Sequence, residues 1–343
     1  MPAHPNKILV IRNDKLGDFM LAWPVFSLLK QQYPDCKLTA LVPEYTAPMA
    51  EQCEWIDEIL IDDKKSSFIK DIVSLSSNIK KHRFDASISL FSETRTSAAL
   101  WLAGVKTRVG PATKVAQIFL NNALKQRRSR SSKPEYEYNL DLARHYIELN
   151  GGDASIQPSP PYLHFDEEQI QKLKSDFYRL NGVAENEKMV IIHPGTGGSA
   201  INLSLEQYAT LAKDIAARSK VYFVITAGPG ELDKAESLSE LLENVNHTVY
   251  QSTTSIVDFC HFINTCDLFI SGSTGPLHIA GALNVNTAAF YPARKSATSL
   301  RWETLNEADK RISFSPEMYT GENDMQQINI DQAADAITNK FFL

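Results

Sequence analysis

The chain has 343 residues, 43% of them hydrophobic and 22% charged, enough for two packed cores of ordinary globular composition. A formal net charge of −6 gives no electrostatic reason to expect a nucleic-acid partner. No apolar stretch approaches the roughly eighteen residues of a membrane span, and "MPAHPNK" lacks the shape of a signal peptide, so a cytoplasmic protein is expected.

In chain order, Lys7–Arg12 reads as the first strand. A helix over about Asp18–Gln32 follows, with Phe19, Ala22, Trp23, Phe26 and Leu29 at three- and four-residue steps. Strands at Lys37–Val42, Glu58–Asp62 and Asp85–Leu90 then alternate with helices at about Tyr45–Cys53 and Ser67–Lys81. The prolines of "QPSPPYLHF" (Gln157–Phe165) break this pattern and read as a linker. Alternation resumes with a helix at about Asp166–Asn181 and strands at Met189–His193, Val221–Thr226, Asp267–Ser271 and Asn286–Tyr291. Helices fill the gaps at about Ser204–Ala217, Glu231–Glu243, Ser255–Asn264 and Pro276–Leu283, and "DQAADAITNKFFL" forms the last one. No internal repeat is visible.

Strand–helix alternation implies parallel sheets covered by helices. The expected fold is therefore α/β, with two Rossmann-like domains whose parallel sheets face each other across a cleft. The expected domains are residues 1–160 and 161–320, followed by a C-terminal helical segment, 321–343, able to pack back on the first domain. The four cysteines (Cys36, Cys53, Cys260, Cys266) form no C-x-x-C pair and read as small core residues. The histidines form no H-x-x-x-H pair, so no metal site is expected.

In open α/β sheets, ligands bind beyond the carboxyl ends of the strands. Three loops stand there. In "RNDKLGD", Asp18 either complements the start of the next helix, worth about 0.3–1 kcal/mol, or takes a proton from a nucleophilic hydroxyl. Asp14 is the competing carboxylate, and the motif alone favours the helix-start role. The loop "HPGTGGSA" is either a flexible turn or a cradle for phosphate oxygens, with His193, Gly195, Thr196 and Gly197 as its candidate contacts. It is neither a Walker A loop nor a G-x-G-x-x-G fingerprint.

In "SGSTGPLHIAGAL", Ser273 or Thr274 can cap a helix that has Gly275 and Pro276 in its first turn. Its free N–H groups and positive dipole end suit a diphosphate. His278, one turn on, either reaches the same ligand or is an ordinary helix histidine. Glu231, after "TAGPG", either accepts hydrogen bonds from ribose hydroxyls or complements a helix N-terminus, with the second slightly favoured.

Together these loops resemble glycosyltransferase family 9, the lipopolysaccharide heptosyltransferases. The opening "VIRNDKLGDFMLAWPVFSLLKQQYP" is similar to the family's first block at Arg12, Gly17, Asp18, Pro24 and Lys30. "HPGTGGSAINLSLEQYATLA" resembles its second block, and "CDLFISGSTGPLHIAGALNVNTAAFYPARKSATSLRW" its third. The resemblance spans nearly the whole chain in order and spacing. It implies the GT-B architecture, with an acceptor bound mainly by the first domain and a nucleotide sugar mainly by the second. It also implies inverting transfer without metal or cofactor, with Asp18 as the base. Thr274, Gly275 and His278 then lie on the diphosphate side and Glu231 near the ribose.

Two departures concern the donor. Ile201 stands where many members carry Lys or Arg, and Ser273 where Asp is common. Arg294 or Lys295 is a candidate replacement for the missing cation.

On the acceptor side, Lys125, Arg127, Arg128, Arg130 and Lys133 crowd into "KQRRSRSSK". They form either a solvated loop or a surface for an anionic acceptor. The resemblance makes that acceptor a lipid A–Kdo glycolipid at the inner membrane leaflet, where each basic residue contributes about 1 kcal/mol. Asp14, Lys15 and Arg95 are the remaining acceptor-side candidates, Arg95 as a bidentate partner for a carboxylate. The implied activity is transfer of heptose from an ADP-linked donor to the lipopolysaccharide core. The alternatives are a nucleotide-sugar epimerase on the same architecture and a degenerate member that binds the donor without turning it over.

Overall fold

The computed structural model describes residues 5–64, 67–113, 115–198, 201–252, 254–318 and 324–343. Two compact units divide the chain: Met1–Arg128 with Lys133–Ser159, and Ser129–Ser132 with Pro160–Leu343. The division at Ser159 and Pro160 falls inside the proline-rich stretch.

The first unit runs β1 (Lys7–Ile11), α1 (Leu16–Met20), α2 (Trp23–Gln32), β2 (Lys37–Val42), α3 (Ala47–Ala50), β3 (Glu58–Ile61) and α4 (Phe68–His82). It continues through β4 (Ala86–Ser89), α5 (Thr94–Leu102), β5 (Thr107–Pro111), β6 (Asn122–Leu124) and α6 (Glu135–Leu149). Among the described residues its strands make a six-stranded parallel sheet ordered β3-β2-β1-β4-β5-β6.

The second unit opens with α7 (Glu167–Asn181), β7 (Lys188–His193), α8 (Leu205–Arg218), β8 (Val221–Ala227), α9 (Leu232–Glu240) and β9 (His247–Gln251). Then come α10 (Ile256–Ile263), β10 (Leu268–Gly272), α11 (Gly275–Ala282), β11 (Thr287–Phe290), β12 (Arg311–Phe314) and α12 (Ile330–Phe341). Its parallel six-stranded sheet is ordered β12-β11-β10-β7-β8-β9. Counted from each unit's own first strand, the two orders are identical, a repeat of topology that leaves no trace in the sequence. Each sheet reverses its winding between its first and fourth strands, so the ligand-binding crevices belong at the β1/β4 and β7/β10 ends.

Central strands are buried on both faces, as parallel sheets require. Every residue of β8, "VYFVITA", is buried, as are Ile8–Ile11 in β1. The C-terminal helix belongs to the second unit and is not a separate segment. Ala333, Ala334 and Ile337 of α12 enter the same core as Tyr208, Leu211 and Ile215 of α8.

Two local departures from the expected elements have clear causes. The single helix expected over Asp18–Gln32 is broken after Met20, because Pro24 takes the first turn of α2. Inside a continuous helix it would lack an N–H and clash with the carbonyl four residues back. Sequence pattern also predicts no strand at β5, β6, β9 or β12. In β5 the Gly110-Pro111 pair reads as a breaker, yet proline is tolerated at a strand end that donates no ladder bond. β6 has three residues, while β9 and β12 are half-exposed edge strands without clean alternation. All four cysteines are free and buried. No helix among the described residues is long and apolar enough to cross a membrane.

Candidate active site

At the β1/β4 end of the first unit, the chain leaves the sheet through Arg12, whose guanidinium is almost fully buried, at 3% exposure. Nε and Nη2 donate to the two carboxylate oxygens of Asp14 at 2.8 and 2.9 Å. Nη2 also donates to Asp18 Oδ1, and Nη1 donates to Glu135 Oε1 at 2.9 Å and Asn139 Oδ1 at 3.2 Å. Glu135 and Asn139 lie one turn apart on the same face of α6, which is why both reach one guanidinium. Burial works against the charge on Arg12, but Asp14, Asp18 and Glu135 outweigh it and hold its pKa above the usual value.

This arrangement separates the two competing carboxylates. Both oxygens of Asp14 are occupied by Arg12. Asp18 gives Arg12 only Oδ1, and its Oδ2 has no partner among the described residues. Burial raises the Asp18 carboxyl to about 6, against the attraction of Arg12 and with the repulsion of Asp14 and Glu135. Asp18 lies in the first turn of α1, whose N-cap residue Lys15 makes no side-chain cap, and the Asp18 carboxylate accepts from Arg12. Its side chain turns back to the strand exit.

The next residue, Asn13, points the other way. Its Nδ2 donates to Asp62 Oδ2, to Glu93 Oε2 at 3.0 Å and to Thr96 Oγ1 at 3.3 Å. Arg95, expected to face an acceptor carboxylate, is instead buried and held by this chain's own Asp62 and Glu93. Its Nε and Nη1 find no hydrogen-bond partner among the described residues. Burial opposes the charge of Glu93, but Thr96, Arg95 and Asn13 prevail and hold it at about 2.

The basic run divides in two. Arg128 donates to Glu135 at 2.7 Å and to the Leu90 carbonyl at 2.9 Å, and lies over the Tyr138 ring. Lys133 pairs with Asp141. Lys15, Lys125, Arg127 and Arg130 are exposed. Thus Arg128, expected at an acceptor surface, is half-buried and engaged by the first unit's own groups, while Arg127 and Arg130 remain displayed.

In the second unit, β7 ends in His193 and β10 carries Ser271 directly beside it. Ser271 Oγ donates to the His193 carbonyl at 3.0 Å. The imidazole is buried, with Nδ1 3.0 Å from Thr226 Oγ1. Burial lowers its pKa to about 4 even with Glu231 nearby. Its Nε2 lies 3.7 Å from Glu231, too long for a hydrogen bond, and a neutral ring makes no ion pair.

Glu231 makes no side-chain cap on α9. Its carboxylate instead ties the "HPG" loop down, accepting from Gly197 N–H at 2.8 Å and Gly228 N–H at 3.3 Å. Burial opposes its charge, but the hydrogen bonds from the Gly197 and Gly228 amides help hold its pKa below the usual range. A Cβ on Gly195 would stand 2.0 Å from Glu231 Oε2, so a side chain there would force the Glu231 carboxylate out of this position. Gly197 has φ +53°, the left-handed region glycine favours. The last two loop residues, 199 and 200, lie outside the described residues.

Thr274 caps α11: its Oγ1 accepts from Leu277 N–H at 3.4 Å and lies 3.1 Å from Ser271 Oγ. Ser273, the other candidate cap, is half-buried beside it, and Gly275 opens the helix. Pro276 adds no N–H, so the Gly275 amide is the first donor the helix offers. His278 is 3% exposed, its Nδ1 has no hydrogen-bond partner among the described residues, and burial lowers it to about 4. It is therefore neutral and can donate or accept at the start of α11.

Ile201, at the position expected to carry a cation, packs against the unit's core. Arg294 and Lys295 are both exposed. Among the described residues no group of three or more His, Cys, Asp or Glu side chains is disposed to hold a metal ion.

Several residues that shape these sites are invisible to motif reading. Glu135 and Asn139 come from a helix with no motif of its own. Asn202 accepts from Leu203 N–H at 2.9 Å and from the Tyr208 hydroxyl, and donates to the Pro194 carbonyl at 3.2 Å. It fills the space a side chain on Gly272 would need, with Oδ1 2.5 Å from a Cβ there. The available signal was an asparagine two residues ahead of the Ser204 cap of an amphipathic helix.

Both units thus present a strand-exit loop at a sheet reversal, one rich in carboxylates and one in backbone amides. The same architecture occurs in a family 9 glycosyl transferase from Veillonella parvula, with TM-score 0.80 and 18% identity over 99% of this chain and 98% of that one. It also occurs in the Escherichia coli ADP-heptose lps heptosyltransferase II, with TM-score 0.74 and 18% identity over 98% of both chains. These likenesses show a GT-B fold of two Rossmann-like domains. In sequence, the chain is 45% identical over 329 residues to a Haemophilus influenzae protein named as a glycosyltransferase, covering 96% of this chain and 94% of that one. The model of glycosyltransferase family 9 (heptosyltransferase) matches residues 72–327. With fold, loop order and family model in agreement, the chain belongs to glycosyltransferase family 9.

Proposed function

We propose that this protein is an inverting glycosyltransferase that moves heptose from ADP-heptose to the anionic core of a lipopolysaccharide or lipooligosaccharide acceptor. The observation that carries this reading is Asp18, a half-buried carboxylate with one oxygen held by Arg12 and the other free. A base with a pKa near 6 is ionised at neutral pH yet basic enough to accept a proton as an alcohol attacks. Oδ2 takes the acceptor hydroxyl proton, the oxygen forms its bond to C1 of the sugar, and the C1–O bond to the diphosphate breaks. ADP leaves with the bonding electrons.

Charge developing on the diphosphate is met by the α11 N-terminus, the Gly275 amide and neutral His278, groups fixed before the reaction begins. Glu231, with 17% of its side chain exposed, retains an edge for ribose hydroxyls. ADP and heptose are inferred from the E. coli protein to which the fold is similar. No step in this reading calls on a metal.

An anionic glycolipid acceptor agrees with exposed Lys15, Arg127 and Arg130. Peripheral contact with the inner face of the cytoplasmic membrane is part of the proposal. It is supported by Phe68, Ile69 and Val73 on the first turns of α4, which are 57%, 73% and 51% exposed. Such side chains beside exposed Lys70 suit a headgroup boundary better than open water.

The test is a donor panel of ADP-heptose, UDP-sugars and GDP-sugars against truncated core glycolipids, read by mass spectrometry. The expected product gains one heptose only with ADP-heptose. Transfer from a UDP- or GDP-sugar alone would overturn the donor assignment. Calorimetric donor binding with no turnover on any acceptor would favour a binding protein, which Ile201 at the expected cation position makes the second reading.

A further inference from the structure

Arg12 and Glu135 form a buried pair 123 residues apart in sequence, and no part of the proposed chemistry yet uses it. The groups to which Arg12 donates lie in the first unit. Arg12 distributes its N–H groups among Asp14, Asp18, Glu135, Asn139 and the Leu90 carbonyl. Glu135 Oε1 accepts from Arg12 and from Arg128, so one oxygen sits between two cations. Asn139 adds a second anchor, donating to the Leu21 carbonyl at 3.1 Å, directly after α1. A planar guanidinium gripped on both edges cannot rotate, and Asp18 Oδ1 is bonded to it. Its orientation is thereby set by α6, an element without a motif.

We propose that Arg12, clamped by Glu135, is the positioning residue that aims Asp18 and, with it, sets the pH window of transfer. The proposal rests on the reading of Asp18 as the base. The groups acting on Asp18 are Arg12 and Asp14 from its own loop and Glu135 from α6. Arg128, bound to Glu135, and Tyr45, whose hydroxyl donates to the Asp14 carbonyl, complete the surroundings. Within this set there are three carboxylates and two guanidiniums. Glu135 therefore opposes ionisation of Asp18 and Arg12 favours it, and removing each must shift Asp18 in opposite directions.

The experiment follows the Asp18 carboxyl by carbon NMR in protein labelled with 13C-aspartate, its resonance assigned with Asp18→Asn. In parallel, kcat/KM is measured against pH. Glu135→Gln keeps the shape and the accepting oxygen, so the fold should persist. It should move both the titration and the acid limb down by about one pH unit, a tenfold change in proton affinity. Arg12→Met should move both up. Arg12→Lys, which keeps the charge without the fork, should restore the titration towards wild type while kcat stays at least about tenfold low.

Unmoved titrations in Glu135→Gln, or shifts of one sign in both variants, would overturn the positioning role. If Arg12→Met does not fold, Glu135→Gln and Arg12→Lys decide alone. Turnover that survives Asp18→Asn would instead overturn the base assignment, whatever the titrations show.

Discussion

Asp18→Asn should lower kcat by about 10²–10⁴-fold, the usual worth of a positioned general base, and leave donor affinity unchanged. Asparagine keeps the shape and still accepts from Arg12, but it cannot take a proton. The same substitution should make the protein more stable, which separates this role from a structural one. Native Asp18 titrates at about 6 against a reference of 3.8, so the native state binds more protons than the unfolded chain between those values. Stability therefore falls as pH rises from 3.8 to 6, and above 6 ionised Asp18 costs up to about 3 kcal/mol. Asparagine should recover about 1–3 kcal/mol of this at pH 7. Urea denaturation and steady-state kinetics on the same preparation read both quantities. A variant that loses activity and stability together would mark Asp18 as structural. In wild type, kcat/KM should climb as pH passes up through about 6.

Gly195→Ala should lower affinity for ADP by about 10-fold or more, through a defined chain of contacts. The added Cβ would stand 2.0 Å from Glu231 Oε2 and 2.5 Å from Oε1. The glutamate must swing away, and the Gly197 and Gly228 amides then lose their acceptor. Gly197 is exposed and Gly228 half-buried, so water can take the acceptor's place, but the loop they held loses its fixed course. Glu231→Ala empties the space the new methyl needs. The double variant should therefore bind ADP no worse than Glu231→Ala alone, a strongly non-additive cycle. Calorimetry on the four proteins tests it. Additive losses would show that Gly195 acts independently of Glu231.

The sequence made the scaffold legible wherever a strand is buried on both faces. "ILVI", "MVIIH" and "VYFVIT" are continuous apolar runs bounded by loops, the pattern a central parallel strand must have. Edge strands β6, β9 and β12 lack that signature, since half-exposure removes the pressure for an apolar run. Pro24 was visible, but the long stripe from Phe19 to Leu29 masked the helix break it enforces. The repeated strand order could not be read at all, because topology is fixed by pairing between strands and not by any local pattern.

Among site residues, the loops were legible because glycine, proline and small hydroxyl residues mark close backbone approach and helix caps. Their side-chain partners were not. Arg12 pairs with Glu135 and Asn13 with Asp62, contacts that exist only once the sheet is assembled. For the same reason the charged run "KQRRSRSSK" could not be divided by inspection. Whether Arg128 is displayed or buried depends on Glu135 and Tyr138, both contributed by the following helix.

The central claim is that one carboxylate activates an acceptor hydroxyl for a single direct displacement at the sugar's anomeric carbon. The most direct measurement is the configuration of the new glycosidic bond, read by NMR on the purified product of a defined donor. A single displacement predicts an anomeric centre opposite to that of the donor. Retention would require a second displacement or a same-face mechanism, and would contradict the account.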